Sequence, residues 1–251
     1  MKDFLTEYKI YFETIASSTI AIMAVIVSIV ALNISSKANQ IAESSLNISR
    51  LPLLPKISAG FSFDDAENGK RSETLVISNS GDVMYDFHSY PFAFLRLNEL
   101  KLVTAENSRK PLFLQSVIVP IVNYFPLSSY INDVNKGIFS KQYISDTKKL
   151  DPILSQFSQE YNEDSKSIGG AIQRYLFVSY VDQFGETHEK YMRFESSGTS
   201  VPLDKKEGEK LLAQHQQAKK SDGFVLDYEN TTLDGLQRAW NESKKEVVAV
   251  K

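Results

Sequence analysis

From residue 17 to residue 49, small and β-branched apolar residues recur every seven positions without a break. A strict seven-residue repeat of this length is typical of helices that supercoil around neighbouring helices. Small side chains let two backbones approach closely, which helix association in lipid requires. The pattern therefore predicts a helix-association seam formed by Ser17, Ile20, Ala21, Ala24, Val27, Ser28, Ala31, Ile34, Ser35, Ala38, Ile41 and Ala42.

The first part of this repeat lies in a stretch long enough to cross a membrane. No charged residue occurs between Glu13 and Lys37. Residues 14–36 would form a helix of about 34 Å at 1.5 Å per residue, against about 30 Å of hydrocarbon. The competing interpretation is a cleaved signal peptide, whose apolar region is shorter. We predict an uncleaved transmembrane helix at 14–36, behind an N-terminal tail at 1–13.

Beyond the span, the outward positions become polar while the apolar stripe continues to Ile48. We therefore expect a helical stalk at 37–50, which Pro52 and Pro55 terminate. Two interpretations of the stalk stay open, packing on a sister chain or packing back on its own domain. The seam favours a homo-oligomer that associates through the transmembrane helix, with membrane lipid around it.

The charges that flank the span favour one orientation weakly. Lys2 and Lys9 precede it, whereas Lys37, Arg50 and Lys56 follow it. Cytoplasmic flanks carry the excess of Lys and Arg. The soluble domain is therefore expected on the cytoplasmic side.

Residues 51–200 have the alternating, aromatic and β-branched composition of strands separated by turns. The turn residues at 79–82 predict a hairpin between strands at 74–78 and 83–90, with positive φ at Asn79 and Gly81. A second hairpin is predicted around the turn at 182–185. Residues 112–127 are apolar but short, so they predict a core strand or an interfacial loop rather than a second span.

Helices are predicted in two places within the soluble part. Asp151 is expected to cap a helix that has Pro152 in its first turn, followed by an exposed loop at 159–167 that closes at Gly169 and Gly170. Residues 201–251 form a helical C-terminal region with helices at 204–220 and 231–248. Their buried stripes are expected to be Leu211, Leu212 and Gln216, and Leu233, Leu236 and Trp240. The fold class is thus a membrane-anchored α+β protein with a mostly-β, sandwich-like domain at 51–200.

Composition narrows the classes of function. The net charge is −3, so the chain lacks the basic surface that nucleic acid binding requires. It contains no cysteine, which excludes disulfides, thiolate metal sites and cysteine nucleophiles.

Few residues suggest chemistry. None of His88, His188 and His215 is followed by a second metal ligand two or four residues later, so we expect neither a metal nor a cofactor. The carboxylate pairs at 64–65 and 163–164 are expected to be solvated turns, and no catalytic residue is predicted. Most aromatic residues are expected in the core, and a minority could line a ligand pocket or protein groove. The residues concerned are Phe87, Tyr90, Phe92, Phe94, Tyr124, Phe125, Tyr175, Phe177, Tyr180, Phe184, Tyr191 and Phe194.

Three stretches resemble a broad class of uncharacterised bacterial membrane proteins: NQIAESSLNISRLPLLPKI, LVISNSGD and FVSYVDQFGETHEKYMRF. Proteins of that class have one N-terminal helix, an Ile-Ala-x-x-Ser stalk and a β-sandwich-like domain. The resemblance covers about half the chain and implies this architecture and a bacterial inner membrane, but no catalytic residues. Mobile-element and phage-defence loci are the genetic context that it suggests.

Three functions remain open on this basis. The leading hypothesis is a non-enzymatic binding or sensing module that recognises a protein or a small ligand and is coupled to a self-associating anchor. The second is an oligomeric effector that perturbs the membrane, as in a phage-defence or mobile-element system. The third is an enzyme whose catalytic groups the sequence does not reveal.

Overall fold

The computed structural model describes residues 8–65, 71–105, 108–125, 129–130, 137–144, 146 to 161, 166–220 and 225–249. The chain divides into two compact units, Met1–Leu53 and Leu54–Lys251. The predicted turn residues at 163–164 lie outside the described residues, and so do the side chains of residues 64 and 65.

The first unit is dominated by one continuous helix, α1 (Lys9–Arg50), followed by a 3₁₀ turn at Leu51–Leu53. Its apolar part is exposed, and α1 is the one helix within the described residues that is long and apolar enough to span a membrane. Hydroxyl groups in this part bond back to the helix: Ser28 Oγ donates to the Ala24 carbonyl at 2.8 Å, and Thr19 Oγ1 donates to the Ile15 carbonyl at 2.8 Å. Because these hydroxyls are satisfied internally, they can lie in hydrocarbon without another partner.

The second unit contains two β-sheets. The smaller has the strand order β1-β2-β6-β5 and the larger the order β10-β4-β3-β7-β8-β9. Neighbouring strands are antiparallel except β4 and β10. The strands are β1 (Ile57–Asp65), β2 (Arg71–Asn79), β3 (Met84–Ala105), β4 (Ser108–Val122), β5 (Ser129–Tyr130), β6 (Gly137–Ile144), β7 (Lys166–Asp182), β8 (Thr187–Phe194), β9 (Ser200–Pro202) and β10 (Leu226–Asp227).

The predicted hairpin around residues 79–82 is wrong, because β2 and β3 belong to different sheets. Asn79 is buried, and its side-chain oxygen accepts hydrogen bonds from the Lys56 and Gly81 amides, both at 2.9 Å. Neither Asn79 nor Gly81 has positive φ. Gly81 is needed for another reason: a Cβ atom there would lie 2.2 Å from the carbonyl oxygen of Leu54. The turn residues therefore direct the chain from one sheet to the other.

The second predicted hairpin is confirmed. Strands β7 and β8 pair antiparallel on either side of the 182–185 turn, where Gly185 has a φ of +81°. The apolar residues at 112–122 form the larger part of β4, which pairs with β3 along its length. Of the two predicted alternatives for residues 112–127, a core strand or an interfacial loop, the strand is confirmed up to Val122, and residues 126–127 lie outside the described residues.

Helix α2 (Asp151–Glu160) begins where it was predicted, but Leu150 is its N-cap residue and Asp151 lies inside the first turn. The two glycines predicted to close the following loop lie inside β7 instead. A Cβ atom at Gly170 would lie 2.7 Å from the Leu154 side chain. Glycine is required there because α2 packs directly on the strand.

Helices α3 (Lys205–Lys220) and α4 (Leu233–Ala249) pack on opposite faces of the larger sheet. Side chains alternate along β3, so Ala93, Leu95 and Leu97 face one way and Phe92 and Phe94 the other. The first face joins the smaller sheet, α2 and α4 in the main core. The second face packs against α3.

The stripe of α3 differs from the prediction in one residue. Leu211 and His215 are buried, whereas Gln216 is exposed. Helix α3 also approaches β8 closely, since a Cβ atom at Gly208 would lie 2.3 Å from the Tyr191 ring. The stripe of α4 is confirmed at Leu236 and Trp240, which are fully buried.

Candidate ligand-binding site

A cavity of about 440 Å³ opens where the chain leaves the larger sheet. Strand β4 ends at Val122, and its pairing with β3 starts at Ala93. The part of β3 before Ala93 begins at Met84 and pairs with β7 alone. Beyond the end of β4, the early part of β3 therefore borders the cavity. We call this cavity the crossover pocket; its lining includes Ser89, Tyr90, Phe92, Ile121, Tyr124, Phe125, Gln142, Ile144, His215, Lys219 and Tyr228.

The chain turns at Asn123, whose φ is +61°, a left-handed conformation that asparagine tolerates better than most residues. The turn places the Tyr124 ring 4.9 Å from the Phe125 ring and 4.9 Å from the Tyr228 ring. The Tyr228 hydroxyl donates to the carbonyl oxygen of Asp146. The three rings thus form an aromatic wall, and the Tyr228 ring is held in place by a second lining residue, Asp146.

Strand β6 has polar side chains on its buried face, which reverses the usual pattern of a strand, and one of them, Gln142, lies in the pocket lining. Ser140 and Gln142 are buried, whereas Ile138 and Tyr143 are 46% and 58% exposed. Sequence reasoning missed this strand, because a polar residue at every second position usually marks the solvent face.

The Gln142 amide is the unusual group in the pocket. The residue is only 2% exposed, and neither its side-chain oxygen nor its nitrogen has a hydrogen-bond partner among the described residues. Because both ends are unpaired, this observation does not depend on which end is assigned as oxygen. The Oγ atom of Ser89, also in the pocket lining, is buried and unpaired as well. Buried polar groups normally have partners, so these groups are suited to a bound molecule.

His215 lies in the same lining with both ring nitrogens engaged. Its Nε2–H donates to the carbonyl oxygen of Ile121 at 2.9 Å, which leaves Nδ1 to accept from the Tyr90 hydroxyl at 3.2 Å. Burial lowers the pKa of His215 and the charge of Lys219 adds to this, while the bond to Ile121 acts in the opposite direction. Burial raises the pKa of Tyr90. The side chains of His215 and Tyr90 are therefore neutral, and they form part of the pocket wall.

A buried ion pair lies between the two sheets, next to the pocket. The Arg174 guanidinium on β7 contacts the Glu73 carboxylate on β2, and both residues are buried. The Tyr124 hydroxyl donates to Glu73 at 3.3 Å, so Tyr124, a residue of the pocket lining, connects the lining to the ion pair. Burial, followed by the charge of Glu73, raises the pKa of Tyr124.

The other histidines lie elsewhere. His88 is exposed, and His188 on β8 has its Nε2 atom 2.7 Å from Asp182 Oδ2. Asp182, Glu186 and His188 form a group whose possible metal-ligand atoms lie within 4.8 Å of one another. The Asp182 carboxylate also accepts from the Phe184 and Glu186 amides, at 2.8 and 3.0 Å. These bonds are those of a hairpin turn, and the expectation that no metal binds stays a prediction.

The structure places the other predicted residues as follows. The whole helix-association seam lies on α1, from Ser17 to Ala42. Of the aromatic residues named from the sequence, most contribute to the two cores, and four line the crossover pocket. Those four are Tyr90, Phe92, Tyr124 and Phe125.

Comparisons with known proteins add little. No family model and no curated protein matches the chain. The crystal structure of Spo0M, a sporulation control protein from Bacillus subtilis, aligns with 64% of this chain at 10% identity, with a TM-score of 0.13. The alignment covers 55% of Spo0M, so the chain spans about half the length of that protein. A TM-score of this size does not indicate a shared fold.

Proposed function

We propose that this protein is a membrane-anchored, non-enzymatic binding or sensing module that takes a small ligand in the crossover pocket. The observation that carries the proposal is the buried, unpaired amide of Gln142 in a cavity with an aromatic wall. Its volume of about 440 Å³ falls within the range of about 300 to 1,000 Å³ that is usual for ligand sites.

The state of the titratable groups favours binding over catalysis. A general acid or base needs a free proton-transfer atom and a pKa near the working pH. Both ring nitrogens of His215 are already engaged, and burial raises the pKa of Tyr90 and Tyr228 further above neutral. These groups are suited to shape and hydrogen bonding rather than to proton transfer.

A test of ligand binding starts from the full chain, purified in detergent and then denatured. We expect mass spectrometry to detect a released small molecule. Adding it back should raise the melting temperature, since a ligand at about 100 times its Kd stabilises by about 2.7 kcal/mol. Ser89→Val, which narrows the pocket, should lose the shift, whereas Ser78→Val on the outer side of β2 should keep it. If no molecule is released and no added ligand binds to the purified chain, the proposal is contradicted.

For the anchor, we propose a single pass through a bacterial inner membrane at residues 14–36, with the β-rich domain in the cytoplasm. The long apolar stretch of α1 supports the span. Alkaline carbonate should leave the intact chain in the membrane pellet. A cysteine introduced at the exposed Ser196 should react with an impermeant maleimide only after the cells are permeabilised. Release by carbonate would refute the span, and labelling of intact cells would refute the orientation.

We further propose that the anchors associate through the seam. Seam hydroxyls such as those of Ser17 and Ser28 bond within their own helix, so close packing rather than hydrogen bonding between helices would hold the contact. Single cysteines at Ala24, Ala31 and Ala38 should cross-link between chains in membranes. Cysteines at the control positions Ile22, Val25 and Ile29 should cross-link weakly. Uniform cross-linking around the helix would remove the seam from the proposal.

Induction of the full chain distinguishes this function from the effector alternative. A binding module should leave growth and membrane potential unchanged in the absence of its signal. Rapid depolarisation on induction alone would instead favour an oligomer that perturbs the membrane.

A further inference from the structure

We propose that the crossover pocket recognises a neutral, planar ring with an amide-like edge, the chemistry of a nucleobase. This inference rests on the proposed binding function and adds the class of ligand. Three features of the pocket support it: the unpaired amide, the aromatic lining and the neutrality of the buried groups.

The first feature determines the hydrogen bonds that the ligand supplies. A glutamine amide presents a carbonyl acceptor and an NH₂ donor side by side. With both unpaired and buried, Gln142 is best satisfied by a ligand edge that carries a donor next to an acceptor. Nucleobases carry such edges, and glutamine pairs with adenine through two parallel hydrogen bonds. A ligand with one polar atom would leave half of the amide unpaired.

The second feature determines the shape of the ligand. The lining includes the half-buried Tyr90 and Phe125, together with the more deeply buried Phe92, Tyr124 and Tyr228. Proteins that bind unpaired bases stack them on aromatic rings. A flat ring can therefore use the wall and the amide together, whereas a flexible chain with the same polar atoms would use only the amide.

The third feature excludes a charged group at the inner end. Gln142 and Ser89 are uncharged, and His215 is kept neutral by burial. An ion placed against them would lose its hydration without a counter-charge, which is costly. Of the charged residues of the lining, Lys219 and Glu229 are exposed and Asp146 is half-buried, so charged substituents of a ligand would point outward.

The experiment is equilibrium dialysis of the detergent-purified full chain against adenosine, guanosine, cytidine and uridine. We expect at least one nucleoside to bind. Gln142→Met, which has a similar volume without the amide, should weaken that binding at least about tenfold, the effect of one lost hydrogen bond to a buried group. Gln115→Met is the matched control, because its side-chain nitrogen is also buried and unpaired but lies outside the pocket lining.

The melting temperature of each variant, followed by Trp240 fluorescence, shows whether it is folded. Trp240 is the sole tryptophan and is buried in the main core. If Gln142→Met does not fold, Gln142→Glu replaces it: this variant keeps acceptors but loses the NH₂ donor, and should weaken binding by a similar factor. Adenosine is also compared with purine riboside, which lacks only the 6-amino group, and a binding site that uses this edge should prefer adenosine.

The outcomes separate the two proposals. Binding that depends on Gln142 and not on Gln115 supports the nucleobase class. If no nucleoside binds, or if Gln142→Met and Gln115→Met bind equally well, the nucleobase class is refuted. If a different molecule is released from the denatured chain and requires the pocket, the binding function stands and the ligand class falls. If nothing is released and nothing binds, both proposals fall.

Discussion

The middle of the layer between the two sheets and its open edge are buried to a similar extent but differ in their polar groups. In the middle, the Glu73 carboxylate is paired with Arg174, and the Arg174 guanidinium lies 4.7 Å from the centre of the Phe61 ring. At the edge, Gln142 and the Oγ atom of Ser89 are buried without partners among the described residues. The middle thus holds a paired buried charge, although the Nε atom of Arg174 has no hydrogen-bond partner among the described residues, and the edge holds uncharged groups without partners.

This difference matches a structural role in the middle and the binding role that we propose for the edge. A paired buried charge fixes how the sheets meet, because removing one partner leaves the other charged and unsolvated. An unpaired buried amide does not stabilise the ligand-free protein. It raises the free energy of the folded state relative to an apolar residue at the same position. Such a group is useful only when another molecule supplies the missing bonds. Substitutions in the two regions should therefore have opposite consequences for stability.

The largest effect is expected in the middle. Arg174→Met leaves the Glu73 carboxylate buried without a counter-charge, which should lower the free energy of unfolding by about 3–5 kcal/mol. The measurement is urea unfolding of the detergent-solubilised chain, followed by Trp240 fluorescence. The control is the double variant Glu73→Leu with Arg174→Met, which removes both charges and should recover most of the loss. A loss below about 1 kcal/mol in the single variant would show that the pair is solvated.

An intermediate effect is expected at His215, the paired group of the pocket wall. His215→Phe keeps the ring but leaves the Ile121 carbonyl and the Tyr90 hydroxyl without their partner. The expected loss is about 1–3 kcal/mol. The same unfolding measurement checks it, with the exposed His88→Phe as the matched control that should change stability by less than about 0.5 kcal/mol. Equal losses in the two variants would contradict the structural role of His215.

His215 should also make stability depend on pH. Its pKa is lower in the folded protein than the ordinary value of 6.5, so below about pH 6.5 the unfolded chain binds a proton that the folded chain does not. Stability should therefore fall as the pH decreases below 6.5 toward the folded pKa, and this part of the slope should vanish in His215→Phe. Asp182 acts in a separate window: hydrogen bonds outweigh the opposing effect of burial and lower its pKa from 3.8, so its contribution is lost only below that pH.

The smallest effect is expected at the open edge. Ser89→Ala removes an unpaired hydroxyl, and the free energy of unfolding of the empty protein should stay the same or rise by less than about 1 kcal/mol. Unfolding of ligand-free protein gives this value, with Ser78→Ala as the control, since the Ser78 hydroxyl has a partner, Ser58, at 2.8 Å. Clear destabilisation by Ser89→Ala alone would mean that the hydroxyl has a partner and that the edge resembles the middle.

The fold could be predicted where the determining interactions are local. The β7–β8 hairpin was found because Gly185 and the Asp182 carboxylate close the turn within a few residues. The turn at Asn79 has equally clear signals, yet it does not join a hairpin. Its side chain binds the Lys56 amide, and a turn sequence does not specify the sheet in which the next strand pairs. Such long-range pairing cannot be read from local turn residues.

The site was harder to predict than the fold because its residues contradict the patterns used for prediction. His215 occurs on a helix of mostly polar sequence and resembled a surface residue. Gln142 faces inward on a strand whose Tyr143 faces outward. A natural sequence usually agrees with its fold at every level, and exceptions concentrate at functional sites. The aromatic density was the one sequence signal for a pocket, and it could not separate core rings from lining rings.

The contact between Gly208 and the Tyr191 ring has a consequence for how the pocket can vary. Gly208 and His215 lie two turns apart on the same side of α3. The absence of a side chain at Gly208 therefore sets the distance between the helix and the sheet. A methyl group at position 208 would push the helix away from the sheet and would increase the distance between His215 and the Ile121 carbonyl oxygen. The dimensions of the crossover pocket are thus governed in part by a residue outside its lining, and a substitution far from that lining can change the shape of the pocket.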